Sequence, residues 1–127
     1  MLKALIVDAS AVSRGLLNTV LTDGAYSVVA QSHGSAQGFA LLQKHKPHLI
    51  CIALEQIEDE FGIVEQIRAH APKTFIFMVS GAIDAPTLQS MLARGVQGFI
   101  VKPFKAEAVL RTIKTTIVAA VKKQQGD

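Results

Sequence analysis

The chain has one cysteine, no tryptophan and one tyrosine among its 127 residues. A single thiol excludes an internal disulfide. That thiol, Cys51, lies inside an apolar run and reads as a small core residue rather than a reactive group. The shortage of aromatic rings argues against a flavin site. Ser10, Ser13 and Gly15 only faintly suggest a phosphate cradle. No apolar run approaches the roughly 20 residues that span a bilayer as a helix. The opening run Leu2–Val7 is too short for a signal peptide and is interrupted by Asp8. It predicts a first strand, in a cytoplasmic protein without membrane contact. His45 and His48 have metal-like spacing but flank Pro47, and His33 and His70 are isolated, so no zinc site is expected. No Ser-His-Asp or Cys-His arrangement has local support. There is no repeat, low-complexity tract or internal linker.

Half of the residues are hydrophobic and the formal net charge is +3. This composition suits one domain with an ordinary buried core. The basic residues are spread along the chain, with one modest cluster at Arg111, Lys114, Lys122 and Lys123. Nucleic-acid binding needs basic residues gathered on one face, so the cluster reads as a solvated helix face and no nucleic-acid partner is expected.

Short apolar runs alternate with segments of helical periodicity. Strands are predicted at Lys3–Val7, Val28–Gln31, Leu49–Ala53, Phe75–Val79 and Phe99–Val101. They lack polar alternation, as strands buried on both faces do. Five helices are predicted between and after them. The first runs from Ser10 or Ser13 to Leu21 and stops at Asp23-Gly24. The second is capped by Ser35, and Gly38 lets it approach the sheet closely. The third covers roughly Glu60–His70. The fourth is capped by Asp84, with Pro86 in its first turn and Gly95 at its end. The fifth covers about Lys105–Lys122, with Leu110, Ile113, Ile117 and Val121 forming an apolar stripe. The expected fold class is α/β: a flavodoxin-like, doubly wound, five-stranded parallel sheet of order 2-1-3-4-5. One domain is expected over 1–123, followed by a frayed polar tail, 124–127.

In such a sheet the strand ends meet at one edge, where open α/β folds place their sites. Here those ends are Asp8-Ala9, Ala53, Ser80-Gly81 and Lys102-Pro103-Phe104. Leu5-Ile6-Val7-Asp8, Pro47-His48-Leu49-Ile50-Cys51-Ile52, Ser80-Gly81 and above all Gly95–Phe104 resemble the receiver domain of bacterial response regulators. Arg14 also sits where many receivers carry an arginine. The resemblance covers essentially the whole chain and carries two losses. The second position of the family's acidic pair is Ala9. The phosphoacceptor position, six residues after Pro47, is Ala53.

Phosphoryl transfer to a receiver needs a carboxylate acceptor and a divalent cation that offsets its repulsion of the incoming group. A methyl group supplies neither an acceptor nor a ligand. The resemblance therefore implies a degenerate site at Asp8, Ala9, Ala53, Ser80 and Lys102. No phosphorylation, no enzymatic activity, no tight magnesium binding and no other cofactor are expected there. It also implies a Lys102–Asp8 pair, a cis Lys102-Pro103 bond and a switch-like pair at Ser80 and Phe99. Phe99 lacks a hydroxyl and is expected in a buried position.

The family's interaction face joins the fourth helix, fifth strand and fifth helix. It would draw here on Gln89, Ser90, Arg94, Gln97, Arg111 and Lys114. The expected partner is a signalling protein (kinase, regulator or scaffold) or a second copy across that face. Three alternatives stand beside this reading. One is a working receiver with Glu55 or Asp59 as acceptor. Another is a small-ligand binder at the emptied edge. The third is a receiver fragment of a longer regulator, since the chain ends soon after the fifth helix.

Overall fold

The computed structural model describes residues 1–126, with side chains through residue 124. Five parallel strands form one sheet in the order β2-β1-β3-β4-β5. They are β1 (Lys3–Val7), β2 (Ser27–Ser32), β3 (Leu49–Ala53), β4 (Phe75–Ser80) and β5 (Gly98–Val101). The helices are α1 (Ala11–Asp23), α2 (Ser35–His45), α3 (Leu54–Ile57), α4 (Ile63–His70), α5 (Ala85–Arg94) and α6 (Ala106–Gly126). No helix among the described residues is long and apolar enough to cross a membrane.

Side chains alternate across a strand, so each apolar run feeds two cores. Leu5, Val7, Ile50, Ile52, Ile76 and Met78 pack with α2 and α4 residues, including Leu42, Ile63 and Ile67. Ala4, Ile6, Leu49, Cys51, Phe77 and Val79 pack on the other face with Leu17, Leu21, Val109 and Ile113. All five residues of β3 are fully buried. This burial on both faces is why the strands read as unbroken apolar runs. Burial also pushes the Cys51 thiol up to about 12. It is therefore protonated at neutral pH and serves as core packing.

Two helix boundaries differ from expectation. Ser35 is the first residue of α2 rather than its cap; Gly34 holds the cap position, and the Ser35 hydroxyl donates to the Asp59 carboxylate instead. The helix expected from Glu60 begins at Ile63, because Gly62 takes a left-handed conformation at φ 69° that a continuing helix cannot contain. The chain before it makes a separate single turn, α3, so the described residues form six helices rather than five. At the C-terminus α6 continues to Gly126, past the expected start of the tail at 124; Asp127 lies outside the described residues. Other local signals match. Ser10 Oγ accepts from Ser13 N (3.2 Å), and Asp84 Oδ1 accepts from Thr87 N (2.8 Å).

Candidate functional site

Four strands end at one edge, where short bonds join the ends of β1, β4 and β5. Asp8 follows β1 directly and is 5% exposed. Its N–H donates to Ser32 O of β2 (3.0 Å), which fixes its backbone. Its Oδ1 accepts from Ser10 N (2.8 Å), and its Oδ2 meets Lys102 Nζ at 3.0 Å. Lys102 leaves β5 with its N–H donated to Ser80 O (2.9 Å), so β4 aims the lysine across the sheet. The Lys102-Pro103 bond is cis, as the resemblance implied. Arg14 reaches back from α1 and donates to Asp8 O (2.6 Å).

The remaining members are occupied by local contacts. Ala53, the last residue of β3, is fully buried. Three residues on, Gln56 Oε1 accepts the Ala9 N–H (3.2 Å), so an amide from α3 ties the β1 and β3 ends together. The Ser80 hydroxyl donates to Ala82 O (2.8 Å), within its own loop. Phe99 is half-buried rather than fully buried; one side packs on the core containing Met91 and Val96. Its other side lines a groove of about 460 Å³ between β5 and α6. Neither Asp8, Ala53 nor Ser80 lines that groove. Among the described residues, no group of three or more His, Cys, Asp or Glu side chains is gathered for a metal.

The acidic loop is a separate feature. Asp59 accepts from Phe61 N (3.0 Å) and from the Ser35 hydroxyl, so it holds the loop before α4. Glu55 is exposed on α3. Neither carboxylate is bonded to Asp8, Lys102 or Ser80.

The residues expected on one interaction face are divided by the structure. Gln89 and Ser90 are exposed on α5. Arg94 turns instead to α4, where it forms a double bond pair with Glu65 (Nε–Oε2 2.8 Å, Nη2–Oε1 2.9 Å). Gln97 sits at the opposite end of the sheet: its Oε1 accepts from Ile76 N (3.0 Å) and Arg68 Nη2 (2.9 Å). Arg111 is exposed. Lys114 lies with Val118 and Lys122 on a stretch of α6 outside the β5 groove. The reason is that long polar side chains find partners across the fold: Arg94 reaches Glu65, and Gln97 reaches Arg68 and the Ile76 N–H.

The Glu65–Arg94 pair also carries a pH dependence. The Arg94 guanidinium holds the Glu65 carboxyl below its usual range, and the same bond raises Arg94. The pair's contribution is thus present above the ordinary glutamate range and is lost as pH falls through the lowered value. Glu65→Gln is expected to cost no more than about 0.5 kcal/mol at neutral pH, because the carboxylate is half exposed. Urea titrations of both proteins should converge in acid; a gap that widens in acid would contradict the assignment.

Two anchoring residues had no local signal. Gln56 is an ordinary helix-turn residue until its bond to Ala9 N is known. Arg68 donates to Pro72 O (2.7 Å), Thr74 O (2.6 Å) and Gln97 Oε1, pinning the entry to β4. Burial lowers its guanidinium from the usual value, and its Nε has no partner.

Residues 4–114 match the family model described as "Response regulator receiver domain". The chain is similar to the chemotaxis protein CheY of Bacillus subtilis, 28% identical over 116 residues, which cover 91% of this chain and 97% of that one. CheY of Listeria monocytogenes is likewise 28% identical, over 90% of this chain and 97% of its own. Among solved structures, CheY4 of Vibrio cholerae superposes with a TM-score of 0.81 at 27% identity, covering 91% of this chain and 98% of that one. A CheX–CheY complex from Borrelia burgdorferi holds a similar fold, with a TM-score of 0.84 at 18% identity over 91% and 89% of the two chains. With the sheet order, the cis bond and the Asp8–Lys102 edge already in place, these matches make the chain a CheY-like member of the response regulator receiver domain family, the receiver module of two-component signalling.

Proposed function

We propose that this receiver domain works without phosphorylation, as a protein-interaction module. One observation carries the reading: the end of β3 presents a buried methyl, Ala53, where the family resemblance places the acceptor. A methyl has no lone pair to attack phosphorus. The neighbouring chemistry points the same way. Magnesium needs a near-octahedral set of oxygens. Asp8 offers one carboxylate, already engaged by the Ser10 N–H and the Lys102 ammonium, and Ala9 adds nothing. This donor set does not fit the cation.

In this reading Lys102 is a structural counter-charge. It neutralises Asp8 where a phosphorylated receiver would hold a metal. The Ser80 hydroxyl turns into its own loop, and the Gln56 amide is taken up by the Ala9 N–H. The edge is held in one arrangement by the chain's own groups. Any change of state must then come from a partner that prefers one conformation. The CheY of Borrelia burgdorferi noted above is seen in complex with CheX, which supports a protein partner as the ligand class for this chain.

The test is incubation with a small phosphodonor and magnesium, followed by intact mass. The mass is expected to stay that of the unmodified chain. A mass gain of one phosphoryl group would overturn the proposal. Its loss in Glu55→Gln or Asp59→Asn would then place the acceptor in the acidic loop.

A further inference from the structure

We infer that the protein binds a small amphiphilic anion, an apolar body ending in a carboxylate, in a hollow at the far end of the sheet from Asp8 and Lys102. The site is separate from that edge and stands independently of the interaction-module reading.

The hollow lies where the strands begin. Leu2 precedes β1, His48 precedes β3, Phe75 opens β4, and Ile117 of α6 lines the same space. The cavity measures about 400 Å³, within the range of ligand sites. A second cavity of about 240 Å³ shares Pro47, Ala71 and Thr74 with it. The larger wall is mostly apolar, so an apolar body gains by displacing its water. Main-chain bonds fix the frame. His48 N donates to Lys3 O (2.9 Å), and Phe75 N donates to His48 O (3.0 Å). A ligand entering a preformed site pays little to order it.

Charge selects the occupant. Lys73 lines the larger cavity and Lys46 the smaller, and among the described residues no acidic side chain lines either. Neither lysine is paired with a carboxylate among those residues. An anion is therefore complementary and a cation is not. His48 adds a donor. Its Nδ1 accepts the Lys3 N–H (2.9 Å), and a main-chain N–H can only donate, so the neutral ring carries its proton on Nε2. That tautomer can donate to a carboxylate oxygen. The backbone of Lys46 is a second observation. It holds the C-cap position of α2 at φ 48°, a left-handed conformation that glycine adopts without cost. Pro47 follows it and favours extended backbone in the residue before. Strain of this kind gathers at binding sites. Lys46 and His48 flank Pro47, whose side chain is common to both cavities. This loop receives the carboxylate, and Leu2, Phe75 and Ile117 receive the body.

The full chain, labelled with nitrogen-15, should be titrated with octanoate, and separately with octanol and with octyltrimethylammonium. Octanoate at millimolar concentration is expected to shift the amides of Leu2, Lys46, His48, Lys73–Phe75 and Ile117 saturably. It should bind about tenfold more tightly than the cation. Lys46→Gly should weaken octanoate by about fivefold. It should do so without lowering the thermal unfolding midpoint, because glycine relieves the left-handed backbone. Lys46→Arg keeps the charge and should retain the affinity. Absence of saturable shifts, shifts elsewhere only, or an equal response to octanol or to the cation would overturn the anion site. Unchanged octanoate affinity in Lys46→Gly would overturn the part given to that lysine. None of these failures alters the phosphodonor result, so this inference and the proposed function can fall separately.

Discussion

Lys102→Met is expected to destabilise the domain by about 2 kcal/mol, and Asp8→Asn by clearly less. The asymmetry follows from exposure. The Asp8 side chain is 8% exposed and the Lys102 side chain 28%. Removing the ammonium leaves Oδ2 of a buried carboxylate without its counter-charge. Only Ser10 N remains to hold it, through Oδ1. Removing the charge from Asp8 instead leaves an ammonium that can turn to water, and an asparagine oxygen can still accept from Ser10 N. The figure for breaking a fully buried pair is about 3–5 kcal/mol, and the partial exposure of Lys102 places this pair below that range. The double variant Asp8→Asn/Lys102→Met should be close to Asp8→Asn alone, because no stranded charge remains. Equilibrium urea unfolding of the four proteins measures this. Additive losses would mean that the two residues do not act as a pair.

Gly38→Val is expected to cost about 3 kcal/mol. A Cβ at position 38 would lie 2.6 Å from Cγ2 of Val7, which is fully buried and has nowhere to go. Overpacking of this kind costs about 1–3 kcal/mol, and the branched side chain adds its own bulk. Gly38→Ala sets two effects against each other. Helix propensity gains up to about 1 kcal/mol, while the methyl still forces α2 off the sheet. The clash wins, so alanine too is expected to destabilise, by about 1 kcal/mol. A stabilised Gly38→Ala protein would show that α2 can shift freely. Val7 immediately precedes Asp8, so the displacement should also reach the edge.

Much of the architecture could be read from local pattern. β1 and β3 end where their apolar runs end, because a strand buried on both faces has no reason to admit a polar residue. Asp84 and Gly95 bound α5 as their cap chemistry requires. The close approach at Gly38 was legible for the same reason: a glycine inside a helix needs a neighbour that explains it. The start of α4 was not legible. Glu60 and Phe61 suit a helix, and only the left-handed Gly62 shows where it must begin. Ser35 looked like a cap because serine caps helices, but its hydroxyl finds Asp59 across the fold. Arg94 and Gln97 were assigned to an outer face by their place in the family pattern. Their partners, Glu65 and the Ile76–Arg68 pair, lie about 20–30 residues away in sequence and leave no periodic trace. The edge behaved the same way. Asp8, Ala53, Ser80 and Lys102 were located by strand ends, whereas the Gln56 bond to Ala9 emerged only from the packed chain.

The central claim is that the edge has no place for a phosphoryl group and its cation. Adding magnesium with beryllofluoride, a mimic of the phosphoryl group, to the nitrogen-15-labelled chain tests it without any reaction having to occur. The account predicts that the amides of Asp8, Ala53, Ser80 and Lys102 stay where they are in the untreated protein. Saturable shifts at those four amides, requiring both magnesium and beryllofluoride, would contradict it.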